Sequence, residues 1–387
     1  MVRWEGRESC ALLLGRGQQR VLKRFAVFLS VFQSVLFLAH FLLFETLLYA
    51  WRQRFDATLL GIMLAVLSVS FLGASLLAFR YFNAFVRVFY KIAAVWLGIF
   101  NYLFMAACVW WLLFGALYLI GINVSRSELA AALFGLAIAT ALYGFANAGW
   151  IRVKHIGVEL PALPESWRGR TIALVSDLHL GHVRNSGFTR RIVRKIAREK
   201  PAIVLMAGDL FDGTAVNAEK AAAPLAELHS PFGSYFAEGN HEEFSSPAAF
   251  LAAISKTGVR VLDNEIVNVE GLQLIGVPYR HATHAGHFRS VLQKLTIDRT
   301  RASILVTHAP DHPQVADEAG ISLQVSGHTH RGQFFPYTWI TARIYRQFVY
   351  GLTRVGGLQV YTSCGAGTWG PPLRVGSRPE IVLIHLK

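Results

Sequence analysis

Thr171-Ile-Ala-Leu-Val-Ser-Asp177-Leu-His179 and Leu323-Gln-Val-Ser-Gly327-His328-Thr-His330 are the two stretches that decide how this chain folds. Each begins as a short apolar run of strand length and ends in metal-ligating side chains one residue apart. Residues spaced by two in an extended turn point to the same side, so Asp177 and His179 can both face one site. The pattern recurs. The run 202–207 leads through Gly208 to Asp209, the run 234–237 leads through Gly239 to Asn240 and His241, and the run 303–307 closes on His308. Five strand ends therefore deliver carboxylate, amide and imidazole groups to one edge of a sheet, where open α/β sheets hold their ligands. The glycines before Asp209, Asn240 and His328 relieve crowding where the chain turns sharply.

Beyond these runs, further strands are expected at 272–277, 359–362 and 380–385, with helices at 189–198 and 218–228 between strands. This alternation indicates a layered α/β architecture. Toward the N-terminus the character changes. The whole chain is 53% hydrophobic with a mean hydropathy of +0.39, too apolar for one soluble globule. Four apolar stretches, about 25–50, 57–79, 92–122 and 129–151, each reach the roughly 20 residues that cross a bilayer. They lack polar faces of helical period, which argues against a soluble bundle. The first is too long for a signal-peptide core and has no small-residue cleavage site after it, so it is expected to stay attached. The division expected is 1–151 transmembrane, 152–169 linker and 170–387 catalytic, without internal repeats or low-complexity tracts.

The net charge of +14 divides into 12 basic and 5 acidic residues in 1–151 and 26 and 19 in the remainder. Lys and Arg in the short loops set the orientation. Arg3, Arg7, Arg16, Arg20, Lys23, Arg24, Arg80, Arg87, Lys91, Arg152 and Lys154 lie on one side, against Arg52, Arg54 and Arg126 on the other. Both termini and the α/β domain are then expected in the cytosol. Cys10, Cys108 and Cys364 are odd in number and remote in spacing, which speaks against a disulfide framework.

The blocks Asp177-Leu178-His179, Gly208-Asp209, Gly239-Asn240-His241-Glu242, His308 and Gly327-His328-Thr329-His330 occur in the order of the calcineurin-like metallophosphoesterase superfamily, which the chain resembles over about 170–387. It is most similar to a bacterial branch of membrane-associated phosphodiesterases, through 327–333 and the late runs Gly370-Pro371-Pro372-Leu373-Arg374 and Pro379-Glu380-Ile381. The resemblance implies a four-layer αββα sandwich of the α/β class, preceded by an all-α four-helix transmembrane domain in the cell inner membrane. It also implies that Asp177, His179, Asp209 and His330 bind one metal ion and Asp209, Asn240, His308 and His328 a second, with Asp209 shared. Such a pair lowers the pKa of a water and stabilises both attacking and leaving oxygens. His241 would be catalytic, protonating the leaving alkoxide. Mixed carboxylate, amide and imidazole ligation favours Mn, Fe or Zn over Ca. The protein phosphatase branch carries an Arg soon after Gly-Asp, whereas this chain reads Asp209-Leu210-Phe211-Asp212-Gly213. A diester or pyrophosphate is therefore favoured over a monoester.

Arg331 and Arg374 are candidate phosphate contacts. His281, His284 and His287 are read as a solvated loop, since no carboxylate accompanies them. The aromatic and basic segment 334–350 is either ordinary packing or a lip that touches the bilayer and admits a lipid substrate. The expected partners are the bilayer and a phosphorylated, lipid-linked substrate; nothing indicates a specific nucleic acid. Two competing readings are hydrolysis of soluble nucleotides, with the helices as anchor, and a non-catalytic membrane scaffold. A transporter is disfavoured because the spans hold few ionisable groups, chiefly His40 and Glu45.

Overall fold

The computed structural model describes residues 16–51, 54–244 and 246–387, excluding the side chains of 16–22 and 25. Arg3, Arg7, Cys10 and Arg52, used above, lie outside the described residues, as do the side chains of Arg16 and Arg20. The apolar part forms α1 (Arg16–Ala50), α2 (Ala57–Arg80), α3 (Ala84–Leu119) and α4 (Arg126–Gly149). All four are long and apolar enough to cross a membrane. Local caps fix two starts. Asp56 Oδ1 accepts from Leu59 N at 2.9 Å, and Asn83 Oδ1 accepts from Val86 N at 2.9 Å, satisfying amides left open in the first turn. The third helix thus begins at Ala84, eight residues before the 92 expected from hydropathy. Arg87 and Lys91 limit the apolar span but do not limit the helix.

Residues 16–73 and 100–137 form one compact unit of the chain. Within it, the His40 ring stacks on Phe100 with centroids 3.6 Å apart, and Trp111 Nε1–H donates to Thr46 Oγ1 at 2.9 Å. Large apolar side chains point outward, among them Phe28, Leu59 and Leu112, as expected of helices solvated by lipid.

Residues 74–99 and 138–387 form the second unit. Its strands are β1 (Arg152–Val158), β2 (Thr171–Val175), β3 (Ile203–Ala207), β4 (Ser234–Ala237), β5 (Arg260–Leu262), β6 (Glu265–Val269), β7 (Leu272–Gly276), β8 (Ser303–Val306), β9 (Leu323–Ser326), β10 (Gly351–Val355), β11 (Leu358–Thr362) and β12 (Glu380–Leu386). Between them lie α5 (Ser186–Glu199), α6 (Ala218–Ala222), α7 (Pro247–Ser255), α8 (Tyr279–Ala282), α9 (Ala285–Lys294), α10 (Pro313–Glu318) and α11 (Tyr337–Tyr345). One sheet runs β1-β12-β2-β3-β4-β5 and the other β10-β11-β9-β8-β7-β6.

Strand alternation builds the layers. Ile172, Leu174, Ile203 and Leu205 face Leu274, Ile304 and Val325 in a core between the sheets. Their neighbours Ala173, Val175, Val204 and Met206 face α5 and α7 through Ile192, Val193, Phe250 and Ile254. On the far side, Ile275, Leu305 and Val360 meet Phe288, Leu292 and Val315 of α9 and α10. The result is the αββα sandwich. Burial on both faces explains why the central strands read as unbroken apolar runs.

Two expectations are corrected. The segment 152–169 is no mere linker: its first seven residues are β1, paired in parallel with β12 from Arg152↔Glu380 to Val158↔Leu386. The His281–His287 segment is not a loop but the helices α8 and α9, and His281 Nδ1 lies 2.7 Å from Asn264 Nδ2.

Candidate metal centre

The ligand-bearing residues follow β2, β3 and β4, neighbours in one sheet, and β8 and β9, neighbours in the other, so they come from two sheets and not from the single sheet edge expected. Pairing continues past the strands: Asp177 N donates to Gly208 O at 3.0 Å and His179 N to Asp209 O at 3.1 Å. Asp177, His179, Asp209, His328 and His330 all have φ between 47° and 68°. Non-glycine residues rarely adopt this region, and Asp and His are among those that tolerate it. Each such residue costs on the order of 1–3 kcal/mol, a strain that collects at functional sites. Gly208 itself has φ +77°. Gly239 serves space instead, because a Cβ there would collide with Asp209 Oδ1.

Three sets of ligand atoms lie within 4.8 Å of one another: Asp177, His179 and His330; His179, Asp209 and His241; and Asp209, His308 and His328. His179 Nε2 is 2.9 Å from His330 Nε2, and His328 Nδ1 is 3.1 Å from His308 Nε2. His308 Nε2 sits 3.1 Å from Asp209 Oδ2, and His330 Nε2 sits 3.5 Å from Asp177 Oδ1. Metal bonds of about 2.0–2.2 Å place neighbouring ligand atoms roughly 3.0–3.5 Å apart, so these spacings fit ion coordination. Asn240 Oδ1 is buried without a hydrogen-bond partner among the described residues. An orphaned acceptor is costly unless something positive meets it. The next residue ties this segment to the centre, as His241 N donates to Asp209 Oδ1 at 3.0 Å.

Protonation is set by fixed partners. His308 Nδ1–H donates to Ala207 O at 2.8 Å, leaving Nε2 toward Asp209. Burial opposes charge on this ring, yet the Asp209 carboxylate raises its pKa to about 10. Burial likewise works against ionised Asp209, but His308 and His241 hold it well below the usual carboxylate range. Asp177 rises to about 6 through burial. Burial and His308 push His328 down to about 3, and burial keeps His179 and His330 well below the usual imidazole value. Neutral imidazoles beside an ionised carboxylate are the forms that ligate metals.

His241 Nδ1–H donates to the Asp212 carbonyl at 2.9 Å, which turns Nε2 inward, 3.8 Å from Asp209 Oδ2. Arg374, expected as a phosphate contact, is corrected. It is fully buried and donates to the carbonyls of Cys364 at 2.7 Å and Gly367 at 2.7 Å. Its Nη2 lies 3.1 Å from His330 Nδ1, so it backs a ligand and its donors are already engaged. Arg331 is exposed, with its guanidinium 5.0 Å from the Tyr350 ring centroid.

Two supporting groups carry roles that the sequence did not assign. Buried Glu242 accepts from Asp209 N at 3.0 Å, Phe211 N at 3.0 Å and Gly239 N at 2.9 Å, clamping two ligand loops together. His182, also buried, contacts Thr214 Oγ1 at 3.1 Å and Tyr81 O at 3.1 Å. Thr214 Oγ1 in turn donates to Asp212 Oδ1 at 2.5 Å. Glu242 was visible as the fourth residue of its block, whereas His182 carried no signal.

Strand-end carboxylates and imidazoles on a double α/β sheet define the class as a metal-dependent α/β protein. More narrowly, the chain belongs to the calcineurin-like metallophosphoesterase family. The Calcineurin-like phosphoesterase profile matches residues 170–332. An uncharacterized metallophosphoesterase of Aquifex aeolicus is 31% identical over 259 residues, covering 65% of this chain and 98% of that protein. A metallophosphoesterase of Campylobacter jejuni is 31% identical over 239 residues, covering 61% of this chain and 63% of that protein. A transmembrane protein with metallophosphoesterase domain of Danio rerio is 35% identical over 264 residues, covering 64% of this chain and 60% of its own length. The chain thus spans under two thirds of these last two relatives.

Proposed function

We propose that the chain is a membrane-anchored, metal-dependent phosphohydrolase that cleaves a phosphodiester or pyrophosphate bond in a lipid-linked substrate, with its catalytic domain on the cytoplasmic side of the inner membrane. The observation that carries this reading is that the framework of the centre is continuous with the apolar helices. Arg374, against His330 through its guanidinium, donates its backbone N–H to Gly144 O in α4 at 2.9 Å. Asn147 Nδ2 of α4 donates to Arg374 O at 2.8 Å and Ser377 O at 2.9 Å. Leu373 packs where a Cβ on Gly98 of α3 or Gly144 of α4 would fall. A site built against such helices favours substrates held in the lipid phase.

Asp177, His179, Asp209 and His330 would hold one divalent ion and Asp209, Asn240, His308 and His328 another, Mn, Fe or Zn by their ligand chemistry. Bound there, such ions supply the Lewis acidity that activates a water and neutralises phosphoryl charge. The chain's own residues do the rest. Asp212 O fixes the His241 ring through Nδ1–H, so Nε2 can carry a proton to the leaving alkoxide, a contribution of typically 10²–10⁴-fold. Glu242 keeps the Asp209 and Asn240 loops in register.

The test is a substrate panel with Mn-reconstituted protein: bis-p-nitrophenyl phosphate, p-nitrophenyl phosphate, soluble nucleotides and lipid diphosphates in detergent. Diester and lipid diphosphate turnover is expected, with Asp209→Asn inactive yet folded by circular dichroism. Preferential monoester hydrolysis, or full activity of Asp209→Asn, overturns the proposal.

A further inference from the structure

Helix α11 has two contrasting faces. Thr338 and Tyr345 turn inward: Thr338 occupies the space beside Gly332 and Gly376, and the Tyr345 ring stands edge-on to ligand His328 at 6.0 Å. Tyr337, Ile340 and Ile344, spaced three and four apart on the opposite face, are 46%, 54% and 67% exposed, and neighbouring Trp339 is 69% exposed. No residue of the helix is buried. So much apolar surface on nine residues marks an interaction site, and exposed Arg343, between Trp339 and Ile340 on the helix surface, and exposed Arg346 just past its end make it basic.

The place of α11 relative to the apolar helices is fixed by its anchor. Phe335 N donates to Val375 O at 3.0 Å, and Val375 N donates to Gln333 O at 3.2 Å. Val375 itself packs where a Cβ on Gly144 of α4 would fall. Gly144 lies five residues inside the end of a helix apolar enough to cross a membrane, or about 7–8 Å at 1.5 Å per residue. The anchor thus ties α11 to the last turns of α4, and interfacial helices settle roughly 5–10 Å into the boundary between headgroups and acyl chains. Across the centre, exposed Trp369 and Phe244 flank His241, with ring centroids at 5.7 and 5.1 Å.

We infer that α11 lies in the bilayer interface with Tyr337, Trp339, Ile340 and Ile344 among the acyl chains and its arginines at anionic headgroups. It thereby forms a lip across which a phosphorylated amphiphile passes sideways to the metal centre. This inference rests on the lipid-substrate reading for its catalytic consequence but not for the location of the helix.

The test uses full-length protein in vesicles of phosphatidylethanolamine and phosphatidylglycerol carrying dibrominated acyl chains. Wild-type tryptophan fluorescence should be quenched more than that of Trp339→Phe, and Ile340→Asp/Ile344→Asp should raise KM for a vesicle-borne lipid diphosphate about tenfold while leaving bis-p-nitrophenyl phosphate turnover unchanged. Equal quenching of wild type and Trp339→Phe overturns the inference; if the double variant also changes the oligomeric mass, the face is a contact between copies. Equal loss on both substrates overturns the lip. Should wild type cleave the soluble diester and no lipid, the lipid-substrate reading fails while the quenching result still decides where α11 lies.

Discussion

At Asp209 three imidazoles converge on one carboxylate, from His308 at 3.1 Å, His179 at 3.8 Å and His241 at 3.8 Å. In the ion-free protein this convergence traps protons. Despite burial, Asp209 raises His308 from the ordinary 6.5 to about 10. His308 therefore carries a proton on Nε2 beyond its neutral form, and ion binding must expel it. Affinity for Mn should therefore rise with pH, with proton release detectable by calorimetry in buffers of different ionisation enthalpy; pH-independent affinity would count against imidazole ligation. Without ions the sign reverses: the His308 pairing contributes stability that is full below its unfolded pKa of 6.5 and is lost as pH climbs through about 10. The ligand residues themselves were legible because each follows a strand of its own. Their neighbours were not, since nothing local distinguishes Arg374 that backs an imidazole from one that grips phosphate.

Among the elements, the turn between α2 and α3 is fastened to the loop that orients His241. Ala215 N donates to Ala78 O at 3.0 Å, and His182 bridges Tyr81 O to Thr214 at 3.1 Å on each side. His182→Ala would leave buried groups unpaired, costing about 1–3 kcal/mol of local stability. Faster amide exchange at Thr214 and Ala215, with slower turnover and unchanged ion content, is the expected result; unaltered exchange would show that the turn does not hold the loop. Strands β2, β3 and β4 were readable because both their faces are buried and their apolar runs unbroken. The edge strand β1 was not: Arg152, Lys154 and His155 break its apolar run, and its partner lies more than 200 residues away.

For the molecule as a whole, eleven basic residues against three flanking the apolar spans predict that the catalytic domain faces the cytosol. A cysteine placed at exposed Arg194 in α5 should react with a membrane-impermeant maleimide in inverted vesicles and stay protected in intact cells; the converse pattern would invert the orientation. What the sequence by itself determined were features encoded within a short window: four apolar helices, alternating strands and helices, and ligand residues placed at strand ends. Only the tertiary structure decided the pairing of β1 with β12, the inward turn of Arg374, the clamp of Glu242 and the bridge from His182 to Tyr81. Each of those depends on side chains or strands brought together from distant parts of the chain, and no local periodicity records such a meeting.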